Sequence, residues 1–459
     1  MPCTSQTPPR ENRPCEAPPL AEPYCVTGSA HNSGPVPRTD AGPQHAASPR
    51  LPALLEALDG RRPQRTPVWF MRQAGRSLPE YRRLRARAGT PMLDACLDPL
   101  LAAEATLQPV RRHGVDAAVL FSDIVLPLRL AGVAVRIEEG VGPVLDHPVR
   151  EARDVTALLD HRYGQTSAGA AAREGATGVQ AVAEAVRRVV TELGSPQAPG
   201  HQETLGHRAR AGLRHSRGEA AWTPLIGFGG GPFTLAAYMV EGRPSRDHLA
   251  ARTLMHADPT SWNRLMTWCA RLTGAFIATQ VTAGACVAQL FDSWAGSLSP
   301  ALYRQHVLPY SRLALETASQ AVSPVTGQPP RLLHFGTGTA RLLGDMRAAG
   351  AHAVGVDERT DLGEAVETLS GSDPQGRSCP VQGNLDPALL AAPWPVLARA
   401  VDTCLESGLA APAHVVNLGH GVPPSTDPDT LTCVVARVHG AADWEETARE
   451  GWQPEQEQP

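Results

Sequence analysis

From Leu51 onward the chain alternates short apolar runs of strand length with longer stretches of helical apolar spacing. That alternation restricts it to a parallel sheet covered by helices. Eight runs are legible: Val68 to Met71, Ala117 to Phe121, Leu225 to Phe228, Cys286 to Phe291, Leu332 to Phe335, Ala353 to Val356, Pro380 to Gln382, and His414 to Leu418. Eight strands, each followed by a loop and mostly by a helix, predict one α/β unit over residues 51–441, a closed (β/α)8 TIM barrel. Just past the runs stand Arg72, Asp123, Gly229 to Gly231, Asp292 with Ser293, Thr337, Asp357, Asn384 and His420. The carboxyl ends of all barrel strands share one mouth, so these positions are expected around a single pocket.

Residues 1–50 hold eleven Pro and few large apolar side chains. They cannot bury enough surface to offset the entropy of ordering, and a disordered tail is expected. Arg136 to Leu145, with Gly140 and Gly142, reads as a hairpin. Residues 195–221 are rich in His, Arg and Gly without a period and read as a loop insertion, and 442–459 as an acidic, fraying end. The spacing of His201, His207 and His215 fits no closed metal site, so no metal is expected there.

All 42 basic residues are Arg. The lack of Lys removes Schiff-base chemistry, a pyridoxal phosphate anchor and a Walker A loop, and leaves the cationic work to Arg. A formal charge of -4 gives no global basic field, so nucleic acid is not an expected partner. The 9 Cys contain no C-x-x-C pair and read as reduced thiols. Neither a leader pattern nor a bilayer-length apolar run is present, and a cytoplasmic protein that enters no membrane is expected.

The segment 67–81 changes character abruptly at Arg72. Between Arg61 and Arg87 there are nine Arg and one acidic residue, Glu80. Arg82, Arg83, Arg85 and Arg87 have the spacing of a solvated helix face. Arg72 and Arg76 flank Gln73, Ala74 and Gly75 at the end of a strand, where two guanidinium forks can aim into one space and grip carboxylates. Asp123 ends a buried run; it reads equally as a structural partner of a nearby Arg or as a pocket carboxylate. Tyr238 lies on a helix opened by Pro232 after three Gly, a place where a Tyr is commonly core. Ser293 has no visible His and Asp partners for nucleophilic work. His420 is displayed between Gly419 and Gly421, a bare loop suited to ligand contact.

The strings MRQAGRSLPEY, Phe121-Ser122-Asp123-Ile124 and GFGGGPFTLAAYMVEG, at 71–81, 121–124 and 227–242, resemble the uroporphyrinogen decarboxylases, and the likeness runs from about Leu51 to about Gly440. The resemblance implies a TIM barrel, a homodimer, no cofactor, and conversion of the four acetates of uroporphyrinogen III to methyls, giving coproporphyrinogen III and CO2 in haem biosynthesis. It implies that Arg72, Gln73, Ala74, Gly75, Arg76, Asp123, Tyr238, Ser293 and His420 bind the substrate. Asp123 would accept pyrrole N–H groups and stabilise ring charge, with Arg72 as its catalytic companion. Ser77 departs from the family, which usually has Tyr there. Three rivals stand beside this reading, the first a tetrapyrrole-binding scaffold that has lost activity, against which the retained Arg72, Asp123, Tyr238, Ser293 and His420 argue. Residues 332–357 resemble the strand, Gly-rich turn, helix and terminal Asp of an S-adenosylmethionine site. Methyltransferases that share the decarboxylase barrel bind zinc through a His-x-Cys pair, which this sequence lacks.

Overall fold

The eight expected staves of the barrel meet two different fates, according to whether backbone or side chains tie them to their neighbours. The computed structural model describes residues 51–160, 168–197, 222–370 and 379–440. They belong to one compact unit, Ser48–Pro459. The expected tail at 1–50, the insertion from 198 to 221 and the C-terminal stretch from 441 onward lie outside the described residues.

Seven runs form parallel strands: β1 (Ala118–Val119), β4 (Leu225–Gly230), β5 (Val287–Phe291), β6 (Arg331–Phe335), β7 (Ala353–Gly355), β8 (Val381–Gln382) and β9 (His414–Val415). They pair in that order in one curled sheet. β2 (Val135–Glu138) and β3 (Gly142–Leu145) make the expected hairpin, an antiparallel pair between β1 and β4.

The run at Val68 to Met71 does not become a regular strand: it forms one parallel bridge, Val68 to Val416. It still closes the cylinder. On one side Val416 N–H donates to the Pro67 carbonyl at 2.9 Å, and on the other Asp116 N–H donates to the Val68 carbonyl at 2.8 Å. Two further ladder positions are filled by side chains. Val68 N–H donates to the Asp116 carboxylate at 2.8 Å, and Met71 N–H donates to Asn417 Oδ1 at 3.0 Å. A carboxylate and an amide thus replace two carbonyls, which satisfies the backbone without regular pairing.

The helices cover the sheet for local reasons. The helix Pro99–His113 starts with Pro at its first position, has its first turn capped by Asp98, whose carboxylate accepts from Leu100 and Leu101 N–H, and stops at Gly114 in the left-handed conformation. Asp258 caps the helix Pro259–Ala283 in the same way, through Ser261 N–H. Strand β4 is buried along its whole length, as expected between two neighbouring strands under helices. Inside the barrel, Trp69 Nε1 donates to Gln382 Oε1 at 3.1 Å and Gln382 Nε2 donates to Gln289 Oε1 at 3.2 Å. These buried amides pin three staves to one another and fix the register under the mouth.

Candidate active site

The loop after Val68 to Met71 turns sharply, because Arg72 adopts a left-handed backbone with φ 60. Few residues with a Cβ adopt that region, and when they do the site usually has a use for the direction it imposes. Gln73 holds the turn from inside: it is 1% exposed, its Oε1 accepts from Phe70 N–H at 3.0 Å, and its Nε2 donates to the Ala117 carbonyl at 3.0 Å. The Gly75 carbonyl accepts from Leu78 N–H and leads into the helix Pro79–Ala88. Ala74 and Gly75 are half-buried between the two exposed arginines, Arg72 and Arg76.

Arg72 lies along the loop that carries His420. A Cβ on Gly421 would run into the Arg72 side-chain carbons, so only a bare backbone lets the guanidinium pass. No hydrogen bond or ion pair occupies the Arg72 or Arg76 guanidinium among the described residues.

Asp123 follows β1 and sits half-buried, with one carboxylate oxygen accepting from Val125 N–H at 2.9 Å. Loss of hydration pushes its carboxyl above the ordinary carboxylate range, against the pull of the Val125 N–H and of Arg72. Tyr238, on the helix Pro232–Glu241, is 8% exposed, and its phenol is pushed up first by burial and then by Asp123, while Arg72 pulls it back. His420 is held below its ordinary value first by loss of hydration and then by Arg72, so its imidazole is neutral near pH 7. Arg72 is thus within electrostatic reach of Asp123, Tyr238 and His420, and the four residues follow four different staves of the barrel.

Arg76 lies within electrostatic reach of Tyr81, whose phenol is pushed up by burial while Arg85 and Arg76 pull it down. Tyr81 packs against Phe121, two residues before Asp123, with ring centroids 5.5 Å apart. Ser293 is half-buried after β5, and its carbonyl accepts from Thr337 Oγ1 at 2.7 Å. Its neighbour Trp294 stacks on Tyr238 with centroids 4.0 Å apart and planes at 32°. Ser77 is buried and its hydroxyl has no hydrogen-bond partner among the described residues.

Asp357 and Asn384 hold loops. Asp357 accepts from Gly338 N–H at 2.6 Å and from Thr360 Oγ1 at 2.9 Å, and Asn384 Nδ2 donates to the carbonyls of Asp357 at 2.9 Å and Thr360 at 2.6 Å. The acidic residue that a nucleotide reading of 332–357 would place on a ribose is thus engaged by Thr360 of its own loop and by Gly338 of the loop before it. Among the described residues no group of three or more His, Cys, Asp or Glu is arranged to hold a metal ion. The stack of Trp294 on Tyr238 and the inward strut of Gln73 were not apparent from the sequence. Ring stacking leaves no periodic trace, and the partner of Gln73 lies 44 residues away.

Comparison with known proteins identifies what the chain as a whole is similar to. A family model described as uroporphyrinogen decarboxylase (URO-D) matches residues 50–200 and 208–441. A uroporphyrinogen decarboxylase of Arthrobacter sp. (strain FB24) is 51% identical over 386 residues, covering 84% of this chain and 96% of the relative. Relatives of the same name from Leifsonia xyli subsp. xyli (strain CTCB07) and Saccharopolyspora erythraea are 51% and 48% identical and cover 87% and 89% of this chain. Among solved structures, a methyltransferase from Methanosarcina mazei superposes with a TM-score of 0.60 over 84% of this chain at 19% identity, a likeness of fold alone.

Proposed function

The chain belongs to the uroporphyrinogen decarboxylase family, and from that premise we propose how its barrel mouth carries out the reaction. The enzyme removes CO2 from the acetate side chains of uroporphyrinogen in haem biosynthesis, and neither methyltransferase reading is favoured. Cleaving the bond between an acetate methylene and its carboxylate leaves an electron pair that needs an acceptor. The substrate can supply one itself. Protonation of a pyrrole carbon makes a cationic ring that takes the pair as CO2 departs. A proton added to the exocyclic carbon then gives the methyl group, and the ring proton is returned. Each turnover consumes one proton net and releases one CO2, and four turnovers convert the four acetates.

In this reading Asp123 accepts the pyrrole N–H groups and offsets the ring cation. Its burial supports the role, because a carboxylate aimed at developing charge in a partly dry site is worth more than one in water. Arg72 and Arg76 hold substrate carboxylates, Arg72 being the nearer to the reacting ring. Tyr238, Ser293 and His420 line the mouth, while Gln73, Ala74 and Gly75 form the turn that aims the two arginines. The observation that supports this assignment is a partly buried carboxylate, Asp123, close enough to Arg72 and Tyr238 for their charges to act on one another.

A homodimer in the cytoplasm and a reaction without cofactor complete the proposal. It is consistent with this that no described helix is long and apolar enough to cross a membrane and that the six described cysteines are all free and buried. Light scattering of the purified protein tests the dimer. Anaerobic incubation with uroporphyrinogen III, followed by oxidation and chromatography, tests the reaction. The expected outcome is stepwise loss of acetates to the four-carboxylate product. No conversion, together with a rise in melting temperature on adding S-adenosylmethionine, would overturn it.

A further inference from the structure

Directly under the mouth, Asp292 is fully buried one residue before Ser293, and none of the roles above uses it. One of its oxygens, Oδ1, accepts from Thr234 Oγ1 at 2.9 Å. The other has no hydrogen-bond partner among the described residues. The backbone of Gly231 lies so close to the carboxylate that a Cβ there would stand 2.5 Å from it, so the start of the helix Pro232–Glu241 is seated on Asp292. A buried carboxylate with one hydroxyl bonded to it, and the buried His334 Nε2 at 3.9 Å from its other oxygen, is a costly arrangement unless it secures a geometry.

The geometry it secures lies on the other side of Thr234. The same Oγ1 that donates to Asp292 accepts from the Trp294 N–H at 3.3 Å. The Trp294 ring stacks on Tyr238 and also approaches His248, with centroids 4.5 Å apart. Tyr238 follows Thr234 by four residues on the same helix, so hydroxyl and ring share one face. Thr234 is 0% exposed and cannot reach a ligand.

We propose that Asp292 and Thr234 are positioning residues: together they fix the Trp294–Tyr238 wall where it meets the tetrapyrrole, and so set substrate affinity without touching substrate. The inference rests on the decarboxylase reading for its substrate, and on the two hydrogen bonds of Thr234 for its geometry.

Thr234→Val keeps the shape of the side chain and removes both bonds, and Thr234→Ser keeps both. With the full chain and uroporphyrinogen III, Thr234→Val is expected to raise KM about 5-fold, with kcat much less affected, and Thr234→Ser to recover the wild-type KM. Near-ultraviolet circular dichroism without substrate reports the wall itself. Comparison with Trp294→Phe identifies the Trp294 band, which is expected to weaken in Thr234→Val and return in Thr234→Ser. Asp292→Asn keeps an acceptor facing Thr234 and should disturb the band less than Asp292→Ala does. A wild-type KM and a wild-type band in Thr234→Val would overturn the proposal, as would equal rises in KM for the Val and Ser variants. Failure of the wild-type chain to turn over substrate would overturn the functional reading alone, since the aromatic band tests the wall independently.

Discussion

Asp123 is the residue on which the chemistry turns, and its environment separates activity from stability. Because burial raises its folded-state value, the native chain holds that proton more tightly than the unfolded chain does. Its ionisation therefore weakens the fold as pH rises above the ordinary carboxylate range. Asp123→Asn keeps an oxygen for the Val125 N–H and removes the charge. We expect kcat to fall by about 100-fold or more while the melting temperature at neutral pH stays level or rises. Near-normal turnover by that variant would refute the role. The second test at this scale concerns Gly421, against which the Arg72 side chain lies. Gly421→Ala should displace the guanidinium and raise KM by about 10-fold, with little change in melting temperature, as read by steady-state kinetics and thermal unfolding. These residues were legible in the sequence because each directly follows an apolar run, where a parallel barrel puts its working groups. From its position alone Asp123 reads equally as a structural partner or as a pocket carboxylate, and its role comes from the family resemblance.

At the scale of elements, the arginine loop works because other segments hold it. Gln73 links the backbone at Phe70 to Ala117 from a fully enclosed position. Gln73→Ala leaves an amide N–H and a carbonyl without partners and should destabilise the fold by about 2 kcal/mol in urea unfolding, with a rise in KM. A loss of stability with unchanged KM would mean that the loop keeps its aim without the strut. In the sequence Gln73 reads as one more polar residue in a binding loop. Contact and strut differ only in which way the side chain points, and that is decided by distant neighbours. The same limit explains the first stave. Val68 to Met71 has strand composition, but Asp116 and Asn417 take the places of backbone acceptors, so an apolar pattern predicts more regular pairing than the chain forms. The runs flanked on both sides by strands, such as β4 to β6, came close to their expected limits because backbone alone pairs them.

At the scale of the whole molecule, two helices far apart in sequence meet at a group that stays neutral until strongly acid pH. His113, at the end of the helix Pro99–His113, is fully buried, and its Nδ1 lies 2.9 Å from Thr432 Oγ1 on the helix Pro428–Val438. Burial, and then Arg112, hold its imidazole down at about 3. The unfolded chain takes up this proton near pH 6.5 and the native chain does not, so His113 withdraws stability as pH falls from there toward about 3. His113→Asn, which can still bond to Thr432, should lose less melting temperature between about pH 7 and about pH 5 than the wild type does. Equal slopes for the two proteins would remove His113 from the account of acid sensitivity.

The closure of the cylinder at Val68 and Val416 has a consequence during synthesis. The stave that carries the arginine loop emerges from the ribosome early, yet one of its two neighbours is made only when the chain reaches Val416. At roughly 5 to 20 residues per second, that is a delay on the order of tens of seconds, during which the loop and the edge of the Val68 to Met71 stave that will face Val416 stand open to other chains. Newly made protein should therefore depend on chaperone holding far more than mature protein does, and slower translation of the last third of the message should lower the yield of active enzyme without altering the enzyme that survives.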